Sequence, residues 1–183
     1  MRACKFRIYP TKAQEEELNS HLQQSKDSWN EMLEFTKELY NNYEKFPTKN
    51  TLREFVKYRG LYSQVGQELV DRFYDSLWKK SGPKAGFPRF KPFDRMKSLN
   101  YPQYGFSLGE KLNVTPFGEI SIKKHREIKG IIKTLTLKRE SSGKWYALFC
   151  VQEEKCVPKE NNGEKVGIDL GLTNFAALSN GRF

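Results

Sequence analysis

Ala3-Cys4-Lys5-Phe6-Arg7-Ile8-Tyr9-Pro10-Thr11-Lys12-Ala13-Gln14 holds one complete structural element and the opening of the next. Cys4, Phe6 and Ile8 alternate with Lys5, Arg7 and Tyr9, the two-residue period of a half-buried strand. Pro10 has no N–H to continue a ladder and ends it. Thr11 and Gln14 stand three apart, so that the threonine hydroxyl can serve the free N–H groups of a first helical turn while Gln14 reaches back, a capping box. A strand thus hands over directly to a helix.

The helix carries Leu18, Leu22, Trp29, Met32, Phe35, Leu39 and Tyr43 at three-, four- and seven-residue spacing, a stripe that reads as core. Pro47 breaks the pattern. A shorter helix is expected from Asn50 or Thr51, with Glu54 completing a second capping box and Gly60 closing it. Ser63 opens a third, with Val65, Leu69, Phe73 and Leu77 all four apart, ending by Ser81-Gly82-Pro83. Gly82 to Phe93 reads as loop. Beyond it the period falls to two. Strands are expected at 104–108, 111–115, 119–123, 131–139 and 144–153, separated by Gly109, Pro116-Phe117-Gly118, Gly130 and Ser141-Ser142-Gly143. Such spacing predicts a small antiparallel barrel or curled sheet, which strand 3–9 joins. The fold class is therefore α+β, a small β-barrel interrupted by a helical bundle. Trp145 reads as barrel core rather than a stacking platform.

After a polar linker at 154–164, Val166-Gly167-Ile168-Asp169-Leu170-Gly171-Leu172 reads as a buried apolar strand bearing one carboxylate. Asn174–Leu178 reads as a second strand, with Asn180-Gly181 as a hairpin turn signal. The expected organisation is 1–10 first barrel strand, 11–81 helical bundle, 82–153 barrel with a basic face, 154–164 linker and 165–183 start of another domain.

Charge says most about function. The 183 residues carry a formal net charge of +10, and residues 79–139 hold 15 Lys and Arg against 4 Asp and Glu. The rest of the chain holds 17 against 18, so the whole excess lies in one tract. Phe87, Phe90, Phe93, Tyr101, Tyr104 and Phe106 lie in it as well. Cations interleaved with aromatics suit a phosphate backbone with exposed bases, although a solvated basic surface has the same composition. No apolar run approaches the ~18 residues of a membrane span, no signal-peptide stretch opens the chain, and a cytoplasmic location is the default expectation. Cys4, Cys150 and Cys156 form no C-x-x-C pair and read as small apolar side chains; His21 and His125 sit far apart in sequence without nearby Cys or Asp partners and do not read as metal ligands.

A strand reading Gly167-Ile168-Asp169-Leu170-Gly171 is similar to the first strand of RNase H-like nucleases of the RuvC type, and also to the phosphate loop of actin-like ATPases. The segments before it favour the nuclease. Lys5–Thr11, Ser63–Gln67, Gly86-Phe87-Pro88-Arg89-Phe90-Lys91, Pro116–Ile120, Lys124-His125-Arg126, Gly130–Thr134, Gly143-Lys144-Trp145-Tyr146 and Val166–Leu172 resemble, in order, the signatures of TnpB/OrfB transposon proteins. The resemblance runs over essentially the whole chain. It implies a wedge-type barrel, a recognition bundle and the first strands of a truncated RuvC/RNase H-like domain, with guide RNA and double-stranded target DNA as partners and no membrane. It implies a metal-dependent DNA endonuclease that uses Mg2+ or Mn2+ at three carboxylates, and a C-terminal zinc ribbon. Asp169 matches only the first carboxylate, so this chain alone is expected to hold no cofactor and not to cut, unless a C-terminal fragment of the same gene completes the site.

Residue roles follow as expectations. Lys5, Arg7 and Tyr9 face outward from the first strand and could meet RNA backbone, or be an ordinary solvated face. Ser63, Gln64 and Gln67 open the third helix, where a glutamine amide can pair with an adenine edge; capping and solubility would use the same residues. Arg89 and Lys91, framed by Phe87 and Phe90, suit phosphate contact beside base stacking. Lys123, Lys124, His125, Arg126, Lys129 and Lys133 would line the barrel's nucleic-acid face.

Overall fold

The computed structural model describes residues 1–78, 87–153, 163, 165–172 and 175–181. They fall into two compact units, Met1–Glu153 and Glu154–Phe183.

In the larger unit, strand β1 (Arg2–Tyr9) runs into helix α1 (Lys12–Tyr43). The Thr11 capping box is present, and Gln14 goes further: its amide donates to the carbonyls of Phe117 and Glu119, both at 2.9 Å. One side chain therefore caps the helix and fastens it to the sheet. α1 has no Gly or Pro to stop it and ends at Glu44, which takes a left-handed conformation (φ 53°) and donates its N–H to Tyr40 O. Its buried face is broader than the apolar stripe. His21, Ser25, Ser28, Leu33 and Thr36 are buried with Leu18, Leu22, Trp29 and Met32, while Tyr43 is exposed. The hydroxyls of Ser25 and Thr36 donate to carbonyls one turn back, at 2.8 and 2.7 Å, so burial leaves them paired.

Helix α2 (Lys49–Lys57) begins one or two residues earlier than expected, because Thr48 is its cap. The Thr48 hydroxyl accepts from Thr51 N at 3.2 Å, and Glu54 closes no capping box. Helix α3 (Ser63–Trp78) buries Val65, Leu69, Val70 and Phe73, packs on α2 and α1, and lies against the sheet. The expected end of this helix at Ser81-Gly82-Pro83 lies outside the described residues.

The sheet contains β2 (Ser98–Tyr101), β3 (Phe106–Leu108), β4 (Leu112–Val114), β5 (Gly118–Lys123), β6 (Ile131–Arg139) and β7 (Trp145–Gln152), preceded by a short 3-10 turn at Phe93–Arg95. Its order is β2-β6-β7-β1-β5-β4-β3, antiparallel throughout. The two ends of this strip come together: the Tyr101 hydroxyl donates to Thr115 O at 2.8 Å and its ring meets Phe106 edge-on. The sheet is thus a nearly closed barrel. Tyr101 is fully buried, and burial pushes its phenol pKa well above the ordinary range. β2 was not among the expected strands; only four residues long, it offers just two core positions, Leu99 and Tyr101. Gly105, at φ +91°, brings the bundle's Tyr62 so close that a Cβ would lie 2.4 Å from its ring. The core runs without a break from Phe6, Trp145 and Phe149 to Trp29, Leu52 and Phe73. Cys4 is buried and Cys150 half-buried, both free thiols, while Cys156 lies outside the described residues.

The smaller unit corrects the expectation of a buried strand at 166–172. Within the described residues only Ile168–Asp169 (β8) pairs, with Ala177–Leu178 (β9), and Ile168 and Leu170 are two-thirds exposed or more. Two paired residues make too short a strand to build a buried face. The Asn180-Gly181 turn follows β9, with Gly181 donating to Leu178 O. Residues 154–162, most of the expected linker, lie outside the described residues.

Candidate nucleic-acid interface

The alternation in β1 sends Cys4, Phe6 and Ile8 into the barrel and leaves Lys5, Arg7 and Tyr9 on its outer face. Register then decides their company. Arg7 lies directly opposite Lys123 of β5 on one side and Tyr146 of β7 on the other. The Arg7 guanidinium sits over the rings of Tyr9 and Tyr146, at 5.3 and 5.4 Å, and the Lys5 ammonium over Tyr146 at 4.1 Å. Sequence reading missed Tyr146; its alternation with the core residues Trp145 and Ala147 was the available signal.

The basic loop 124–130 crosses one mouth of the barrel. Lys124 Nζ donates to Gly109 O at 2.7 Å. The His125 ring packs 5.0 Å from that of Phe6, and the Arg126 guanidinium lies 5.9 Å above the same ring. An open depression of about 590 Å³ lies here, lined by Lys124, His125, Arg126, Leu108 and Ile128 among others. At the loop's end Gly130 adopts φ +111°, where a Cβ would strike Gln152 O at 2.5 Å, so the chain enters β6 only through glycine. The ladder between β6 and β7 then skips a register step between Ile132 and Thr134, and exposed Lys133 is the bulged residue. A bulge re-aims its side chain, and Lys133 is exposed, as are Lys123, Lys124, His125, Arg126 and Lys129.

The other expected contacts lie elsewhere. Ser63 and Gln67 are exposed on the first turn of α3, lining a groove with Arg53, Lys57 and Leu61 between α2 and α3; Gln64 is half-buried and outside that lining. Segment 87–92 is strapped to α1: Trp29 Nε1 donates to Arg89 O, and the Asn30 amide both donates to Lys91 O and accepts from Lys91 N. The strap leaves Arg89 and Phe90 exposed but brings the Lys91 ammonium onto the face of Trp29, 3.1 Å from the ring centre. Phe87 belongs to an aromatic cluster with Tyr40 and Phe46 instead of framing a phosphate.

Burial, and secondarily the charge of Arg72, pull the Lys91 pKa down to about 8. Unfolded, the same group titrates near 10.5, so between these values the unfolded chain binds more protons and stability rises with pH. Below pH 8 the cost of the buried charge is fully present, offset in part by the indole face. Lys91→Met keeps the stem on Trp29 and removes the charge. Thermal melts across this window are expected to show a raised Tm for the variant at pH 7 and loss of the rise above pH 8.

Asp169 is exposed in β8. Among the described residues no group of three His, Cys, Asp or Glu side chains converges to hold a metal ion, so the divalent pair implied by the resemblance meets a single carboxylate and does not fit the residues described. No helix among the described residues is long and apolar enough to cross a membrane.

Residues 1–45 match a family model described as a helix-turn-helix domain, of the OrfB/IS605 type. In this chain those residues are β1 followed by one uninterrupted helix up to Tyr43, so they contain no helix-turn-helix geometry. The chain is also similar to InsQ of Escherichia coli (strain K12), named provisionally as an RNA-guided DNA endonuclease, with 30% identity over 115 residues. That match covers 61% of this chain and 27% of InsQ, so the chain spans about a quarter of that relative. The likeness carried by the motifs is therefore met again in a domain model of the OrfB type over residues 1–45 and in a similarity to InsQ, and the chain resembles TnpB/OrfB proteins.

Proposed function

We propose that this chain is the nucleic-acid-binding part of a TnpB-type transposon protein, with guide RNA on the barrel and target DNA beside the bundle. One observation carries the reading: the charge excess is confined to one tract, and Lys123, Lys124, Arg126, Lys129 and Lys133 from it are exposed in and beside the loop from β5 to β6. Phosphates neutralise such a cluster without needing a shaped pocket. In this reading Ser63, Gln64 and Gln67 meet bases of the DNA, Arg89 meets phosphate, and 165–183 begins a RuvC-like domain with Asp169 as its first carboxylate. The similarity to InsQ supports the choice of partners. Purification through a salt wash, followed by sequencing of retained RNA, tests it. A discrete structured RNA, still retained by Asp169→Ala, is the expected result; bulk RNA lost at moderate salt would overturn the assignment.

A second reading has the missing carboxylates supplied by further RuvC-like strands. It is favoured by the exposed apolar residues Val166, Ile168, Leu170 and Leu172, which suit an unfinished sheet.

A further inference from the structure

The outer face of the barrel carries a second feature, which shares Lys123 with the basic cluster. Ser98, Lys138, Tyr146, Arg7 and Lys123 stand directly opposite one another across β2, β6, β7, β1 and β5, forming one line over five strands. Neighbours of the first four in their own strands point inward: Leu99, Leu137, Trp145, Ala147, Phe6 and Ile8 are all buried. Three of the five positions are cationic, and Lys5 reaches in over Tyr146 as a fourth.

One carboxylate sits among them. Glu140 ends β6 at the turn to β7, where its backbone is fixed by Glu140 N→Lys144 O and Gly143 N→Glu140 O, both 2.9 Å. Its side chain is paired with Lys5 by a hydrogen-bonded ion pair. That hydrogen bond above all, then the charges of Lys5, Lys138 and Arg7, hold the Glu140 carboxyl below its ordinary range. The pair is not a saturated one: among the described residues Arg7 Nε is shielded from solvent and has no acceptor. Tyr146 has Lys5 and Arg7 over its ring, so it serves to hold the two cations in place and offers no open platform for a base.

We propose that Lys5, Arg7 and Lys138 form a phosphate site on the outer face of the sheet, which Glu140 fills with its own carboxylate until a nucleic-acid strand displaces it. The proposal rests on the nucleic-acid reading above and adds a site and a built-in competitor to it. A phosphodiester can offer its two non-bridging oxygens to Lys5, Arg7 and Lys138 together, and the glutamate can swing to solvent because its own side chain is one-third exposed. Weakly bound polyanions must displace the carboxylate, so the site favours strands already held elsewhere on the barrel.

The test is fluorescence anisotropy on the whole chain, with labelled oligouridylate and, separately, a labelled DNA duplex. Lys138→Gln is expected to weaken binding about four- to sixfold at about 0.15 M salt, the loss of one phosphate contact. Glu140→Gln is expected to tighten it about two- to fivefold, the strength of one exposed ion pair. Asp27→Asn on α1, where the carboxylate pairs with Lys26, removes the same charge away from the sheet and is expected to change nothing. Equal tightening by Asp27→Asn would reduce the effect to net charge and overturn the site. Binding by the parent chain that neither Lys138→Gln nor Glu140→Gln alters would also overturn it, leaving the nucleic-acid reading intact. No binding of either probe by any variant would overturn that reading and the site together. The probe bound more tightly names the strand.

Discussion

Trp145→Ala is expected to destabilise the chain by about 3–5 kcal/mol, the range for removing a large aromatic from a packed core. Trp145 is 2% exposed, in β7, with Ile8 of β1 and Arg139 of β6 as its cross-strand partners. Its indole N–H donates to Glu15 of α1 at 3.3 Å, so the side chain also joins the barrel to the first turn of the bundle's longest helix. The substitution opens a cavity and leaves Glu15 Oε1 without that donor. Urea unfolding should show a lower midpoint at unchanged slope. Trp145→Phe keeps most of the volume and loses the hydrogen bond, and is expected to cost about 1 kcal/mol. Equal losses for the two variants would mean that the bond to Glu15, not packing, sets the effect.

Joint replacement of Lys123, Lys124, Arg126 and Lys133 by glutamine is expected to lower RNA affinity by about two to three orders of magnitude at 0.15 M salt. Each lost phosphate contact removes roughly 0.7–0.9 from the slope of log K against log salt, so the slope itself should shrink by about three. All four side chains are exposed, and Lys124 alone gives up an internal hydrogen bond, to Gly109 O. The fold should therefore survive, and circular dichroism checks that it does. Unchanged affinity with an unchanged slope would remove these four cations from the interface.

Much of this architecture was legible because it follows from periodicity. Strand β1, the Thr11 capping box, the core residues of α3 and the long strands β6 and β7 all repeat their pattern often enough to be read. β2 was missed because two inward positions, Leu99 and Tyr101, make too short an alternation against a basic background. The second helix started early because Thr48 outcompeted its neighbours as cap, a choice between adjacent polar residues that spacing alone does not decide. For the site, sequence identified the cations but not their company. Lys91 faces Trp29 because Asn30, sixty-one positions away, holds its backbone. Lys133 is aimed by a bulge, and the line from Lys138 to Lys123 exists only once β1 lies between β5 and β7. Cross-strand neighbours are a property of register, which single segments do not contain.

That central place of β1 governs the order of assembly during synthesis. This strand, made before every other strand of the barrel, pairs with β5 and β7, up to Arg2 opposite Val151. At about 5–20 residues per second it waits roughly 7–30 s for its partners. α1, made next and closed by local bonds alone, can form long before then. The barrel can close only when the last of its strands arrives, so closure joins the two ends of the larger unit. A nascent chain whose β7 has not yet emerged would expose the apolar face of β1 to chaperones, while one whose β7 has emerged could complete the barrel.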